Sequence, residues 1–167
     1  MNNLIDVPIA SVTALTPERA VLVMRAILRS ECHYAKLSPT VLTISNRLTI
    51  ADGGIDAEIN VPPEHTIPPD CMFQPGLTGF QIKSGTTFKP WTRSAIRTEL
   101  LNGEGKLCSE VERLVQRGGR YALICTGHDL TPEQRNDSRQ EIAILLAEQG
   151  FEGQEDLVEV FGASQLA

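Results

Sequence analysis

The sequence predicts an α/β fold, a sandwich in which helices flank a mixed central β-sheet. Apolar residues recur at helical spacing in ERAVLVMRAILRSECHYAKL, SAIRTELL and SEVERLVQR, and again after Thr131-Pro132. Between these lie short runs of strand character, VLTISNRLTI, IDAEINV, LTGFQIKSG and RYALICT. The resulting order is helix, two or three strands, two helices, strand, helix, which interleaves the element types as layered α/β domains do.

Each element has a local reason. Thr16-Pro17 starts the first helix, with a hydroxyl at the N-cap and a proline in the first turn, and Leu37 and Pro39 end it. VLTISNRLTI reads as a strand with a turn at Asn46-Arg47, and Asp52-Gly53-Gly54 as a turn. IDAEINV alternates as a strand should. Residues 62–76 hold five prolines and a glycine, so they form a loop, because each proline fixes its φ and withholds a donor. LTGFQIKSG is a short core strand, SAIRTELL and SEVERLVQR are helices, and RYALICT is a second buried strand. A helix runs from Thr131-Pro132 to about Glu148, and EDLVEVFG adds an edge strand.

A chain of 167 residues is long enough to bury a core and fits a single domain spanning 1–167. Its 41% hydrophobic and 22% charged residues are those of an ordinary globular protein. No apolar run reaches the ~20 residues a membrane span needs. The start, MNNLIDVPIASVT, lacks the basic and apolar regions of a secretory signal, so a cytoplasmic location is expected. The four cysteines, Cys32, Cys71, Cys108 and Cys125, form no CxxC pair and read as small buried residues or free thiols. With no evident closing element after ASQLA, the domain is expected to be cut from something longer.

The net charge of −6 argues at first against a nucleic-acid binder, but it is unevenly spread. Residues 1–82 carry net −3, residues 83–120 net +4 and residues 121–167 net −7. A phosphate backbone responds to the local field, so DNA is expected along Lys83, Lys89, Arg93, Arg97, Lys106, Arg113, Arg117 and Arg120. The plainer alternative is a solvated helical face.

The chemically informative feature is the pairing of DGGID with FQIKSG. On a strand, Gln81 and Lys83 project to one face while Phe80 and Ile82 go to the other. An amide beside an ammonium on a buried strand is costly without a partner or substrate. Asp56, just past the double glycine, sits where an adjacent strand could face them. Carboxylate and amide oxygens suit Mg²⁺, which commonly takes one or two protein groups and fills its shell with water and phosphate oxygens. A nearby lysine can orient the attacking water or hold charge building on a scissile phosphate. Together Asp56, Gln81 and Lys83 make a phosphodiester hydrolysis site. The alternatives are that Asp56 caps the glycine turn and that Gln81 and Lys83 are the polar face of an edge strand. Glu58, two residues from Asp56, is the best substitute ligand. Ser84, Thr86, Thr87 and Lys89 could grip a phosphate, Trp91 reads as a core anchor, and His33, His65 and His128 as isolated surface or loop residues.

D-G-G-I-D followed after a variable loop by F-Q-I-K resembles the PD-(D/E)XK nuclease superfamily, in the Mrr-like branch where glutamine replaces the second acid. The likeness runs from about Thr16 to Ile124 and implies a restriction-endonuclease-like sandwich. It matches Asp56 to the aspartate, Gln81 to the (D/E) position and Lys83 to the lysine, with Asp56 and Gln81 as ligands of Mg²⁺ or Mn²⁺. Glutamine at position 81 removes a negative charge from that site. Glu31 matches the glutamate such enzymes often supply from the first helix, which it shares with Glu18. The stretch RSE…ADGGIDAEI…FQIKSGTTFKPW further resembles nuclease modules at the N-terminus of large bacterial antiphage proteins. That likeness implies an effector cutting duplex DNA with little sequence preference once clustered as a homo-oligomer through a region outside this chain. Two rival readings are a nuclease-like fold that binds DNA without cutting it, and a protein-interaction domain that docks through its acidic C-terminal segment.

Overall fold

Thr16 and Thr131 open the two long helices as their sequences predict. In the computed structural model, which describes residues 7–44 and 54–167, α1 spans Ile9–Thr13 and α2 spans Pro17–Tyr34. The Thr16 hydroxyl accepts from the Arg19 N–H, satisfying one donor that a helix start leaves unpaired. Ala20, Met24, Leu28 and Cys32 form the buried ridge of α2, one residue per i+4 step. Lys36 takes the left-handed conformation, φ 56°, just beyond the end of α2, where the Leu37 N–H returns to the Cys32 carbonyl at 2.8 Å.

Strand β1 (Leu42–Ile44) follows, and the rest of its predicted run, with the Asn46-Arg47 turn and the start of the glycine turn, lies outside the described residues. After it come β2 (Ala57–Val61), the proline loop, β3 (Gly76–Lys83), α3 (Arg93–Leu100), α4 (Ser109–Gln116), β4 (Arg120–Cys125), α5 (Pro132–Glu148) and β5 (Val158–Phe161). Thr131 and Gln134 at the start of α5 exchange side-chain and backbone hydrogen bonds at 3.2 and 3.0 Å, a capping box. The sequence reading missed α1, a five-residue helix too short to show periodicity; it packs against the 3₁₀ turn at Ala163–Gln165.

Among the described residues the sheet has five strands in the order β1-β2-β3-β4-β5. β1, β2 and β3 are antiparallel neighbours, whereas β3, β4 and β5 run parallel. Parallel neighbours need crossovers, supplied by α3 and α4 between β3 and β4 and by α5 between β4 and β5. Those three helices pack on one face with Leu123, Val158 and Val160, while α2 covers the other with Ala57, Ile59, Phe80, Ala122 and Ile124. No helix among the described residues is long and apolar enough to cross a membrane.

β3 is therefore the central strand, and an edge-strand reading of Gln81 and Lys83 is excluded. α4 lies so close to it that a Cβ at Gly79 would come within 2.7 Å of Leu114 Cδ2, which is why a glycine interrupts an otherwise bulky strand.

Candidate functional site

The antiparallel register sets Ala57 opposite Phe80 and Glu58 opposite Gly79. One residue earlier, the Asp56 N–H donates to the Phe80 carbonyl at 2.7 Å, extending the ladder past the end of β2. Asp56 Oδ2 then accepts from the Ile82 N–H at 2.7 Å. Backbone and side chain together fasten Asp56 beside Gln81 and Lys83. Asp56, Gln81 and Lys83 line one cleft of about 1310 Å³, walled on its other sides by the start of α2 and by α3 and α4.

Gln81 is 2% exposed, and its burial is made affordable by two partners. The Tyr121 hydroxyl donates to Gln81 Oε1, and Gln81 Nε2 donates to Glu99 Oε1. Lys83 Nζ pairs with the same Glu99 oxygen. Because a carboxylate only accepts, Glu99 fixes the sense of the amide, nitrogen toward Glu99 and oxygen toward Tyr121. Burial, then the Glu99 charge, pushes the Tyr121 phenol well above its ordinary range, so it remains a proton donor.

Neither Glu99 nor Tyr121 was singled out in the sequence. Both carried a signal: Glu99 adjoins the buried Ile96 and Leu100 in SAIRTELL, and a tyrosine inside a buried strand needs a partner for its hydroxyl.

Glu31 is not among the residues lining the cleft. The buried ridge of α2 carries it to the opposite face of the sheet, where its carboxylate accepts from the Met72 N–H at 3.1 and 3.3 Å. Burial there raises its pKa from 4.5 to about 6, against the lowering effect of the Met72 hydrogen bond and with a smaller upward push from Asp70. The glutamate of α2 that lines the cleft is Glu18, in the first turn. Thirteen residues of helix separate the two, roughly 20 Å. Glu58 also lines the cleft, paired with Arg113, which in turn holds Glu110 at 2.9 Å.

The basic segment looks different once folded. Arg93 and Arg97 both grip Glu148, Lys106 pairs with Glu104 at 3.5 Å, and Arg120 donates to the Asp156 carbonyl at 3.1 Å. With Lys83 and Arg113 also paired, much of the positive field of residues 83–120 is internally compensated. The cysteines are free, and burial pushes the Cys125 thiol up to about 12 and Cys71 to about 11. His65 ties the proline loop to the end of α2 through the Ala35 carbonyl at 2.8 Å, and His128 meets Trp91 edge-on, ring centres 5.1 Å apart.

Among the described residues no three His, Cys, Asp or Glu side chains cluster closely enough to hold a metal ion. Magnesium asks for less, and the carboxylates of Asp56 and Glu99 at the cleft are hard oxygen donors of the kind it takes. Compared with family models, curated proteins and solved structures, the chain matches none.

Proposed function

We propose that this chain is a Mg²⁺-dependent endodeoxyribonuclease, a hydrolase of phosphodiester bonds with a restriction-endonuclease-like fold of the PD-(D/E)XK, Mrr-like kind. The observation that carries this reading is the convergence of Asp56, Gln81 and Lys83 on one cleft at the centre of the sheet. A bound Mg²⁺, or Mn²⁺ in its place, would lower the pKa of water and offset phosphate charge, with Asp56 as the first residue to hold it. Lys83 would steady the charge that builds on the scissile phosphate, an electrostatic role that a central strand pre-organises. Gln81, held by Tyr121 and Glu99, would keep Lys83 and Asp56 in register.

The substrate under this reading is duplex DNA. Its phosphates would have to displace exposed ion pairs such as Arg93–Glu148, and such pairs contribute only about 0–1 kcal/mol each. The same reading makes the chain the cytoplasmic effector domain of an antiphage defence protein, clustered as a homo-oligomer through a region outside this chain.

A second reading, a nuclease-fold module that binds DNA without cutting it, draws on the closed network in which Glu99 occupies both Gln81 and Lys83. Cleavage of supercoiled plasmid with Mg²⁺, Mn²⁺ or EDTA separates the two, comparing wild type with Asp56→Ala and Lys83→Ala. The nuclease reading expects metal-dependent nicking or linearisation that both substitutions abolish. Salt-sensitive DNA binding without cleavage, in the longest native protein as well as in this domain, would establish the second reading instead.

A further inference from the structure

We infer that Glu99, projecting from α3, is the second carboxylate of the metal site, and that Lys83 occupies it as a resident counter-ion until a divalent cation displaces it. This rests on the nuclease reading above and assigns a residue that the sequence motif does not contain.

Three observations carry it. First, Gln81 stands where an acid is expected, yet its oxygen accepts the Tyr121 hydroxyl, so the amide presents nitrogen, not oxygen, toward Glu99. A cation seeking hard oxygens meets the carboxylate of Glu99 there instead. Second, Asp56 and Glu99 bracket the same three residues of β3. Asp56 is bonded to the Ile82 N–H, and Glu99 to the side chains of Gln81 and Lys83. Both line the cleft, and both charges act on the Tyr121 hydroxyl. Third, both bonds from β3 fall on a single oxygen, Glu99 Oε1. The arrangement restores by tertiary contact the negative charge that glutamine at position 81 removes.

The ion pair then has a chemical consequence. Without metal, the Lys83 ammonium neutralises Glu99 and is itself withheld from substrate. With a divalent cation held by Glu99, Lys83 would be free to meet a substrate phosphate. Metal and lysine thus compete for one carboxylate, which separates a ligand from a mere counter-ion.

The test is Mn²⁺ affinity, measured on the full chain by calorimetry or by the loss of the free-ion paramagnetic resonance signal. Wild type is compared with Glu99→Gln, Glu99→Asp and Lys83→Met, and thermal unfolding in EDTA verifies that each is folded. Glu99→Gln is expected to weaken Mn²⁺ binding by about tenfold or more, since even outer partners of a metal site contribute about 10–100-fold. Glu99→Asp should recover part of that loss. Lys83→Met should bind Mn²⁺ more tightly than wild type, because the competitor is gone. A wild type that cuts plasmid while Glu99→Gln binds Mn²⁺ undiminished overturns the inference and leaves the nuclease reading standing. Tighter binding absent from Lys83→Met would likewise reduce Glu99 to a counter-ion. A wild type that neither binds Mn²⁺ nor cuts plasmid removes both.

Discussion

Replacing Glu31 by glutamine tests where α2 places its charge. The side chain is partly buried behind the sheet, and its carboxylate accepts from the Met72 N–H at 3.1 and 3.3 Å. Glutamine can accept the same bond through its amide oxygen, so the substitution removes a charge and keeps the contact. The folded-state pKa of Glu31 is about 6 against an ordinary 4.5. A pKa raised on folding means that ionised Glu31 opposes the fold. Its favourable contribution is complete below pH 4.5 and is lost as the pH rises through about 6. The gap corresponds to about 2 kcal/mol. Solvent screening of a side chain that keeps partial exposure reduces it to about 1 kcal/mol. Urea unfolding at pH 4.5 and pH 7.5 reads this directly. Glu31→Gln should match wild type at the lower pH and exceed it by about 1 kcal/mol at the higher. It should also cut plasmid as wild type does, because Glu31 does not line the cleft. A variant equally destabilised at both pH values, or one that folds but no longer cuts, would refute this placement.

Two further substitutions probe the network and its support. Tyr121→Phe strands the Gln81 carbonyl in a site that is 2% exposed and should cost about 1–3 kcal/mol in urea unfolding. It should also lower plasmid cleavage, because nothing then holds the Gln81 oxygen; unchanged stability would show that the amide finds another donor. Gly127→Ala places a Cβ against the Gly85 carbonyl, and neither backbone can yield freely because the Thr126 N–H is bonded to the Lys83 carbonyl at 2.8 Å. Overpacking of this kind costs about 1–3 kcal/mol, and a drop in thermal midpoint together with reduced cleavage is expected. A fully stable Gly127→Ala would mean that the two loops separate easily.

Local chemistry made most of the fold legible in advance. Thr16-Pro17 and Thr131-Pro132 mark helix starts because their hydroxyls and fixed φ act within one turn. The alternation around Gln81 and Lys83 showed a polar pair on an apolar strand, and the structure sets that strand at the centre of the sheet. Long-range geometry was not legible. Whether Glu18 or Glu31 meets the cleft depends on how α2 lies across the sheet, and both residues belong to that one helix. Glu99 is separated from Lys83 by a loop and most of a helix, so no spacing rule connects them. The positive stretch of residues 83–120 was visible as a sum, whereas its compensation by Glu58 and Glu148 appears only in three dimensions.

The central position of β3 has a bearing on how the cleft opens. β3 has strand neighbours on both sides as far as Phe80, and Gln81 and Lys83 continue its parallel ladder with β4, so this segment separates only when the middle of the sheet opens. Glu99 stands on an eight-residue helix that begins without a side-chain cap. Its partner across the cleft, the start of α2, belongs to the opposite layer. Sub-global opening would therefore swing the carboxylate away while the amide and ammonium stay fixed, making α3 the element whose deuterium uptake tracks access to the cleft.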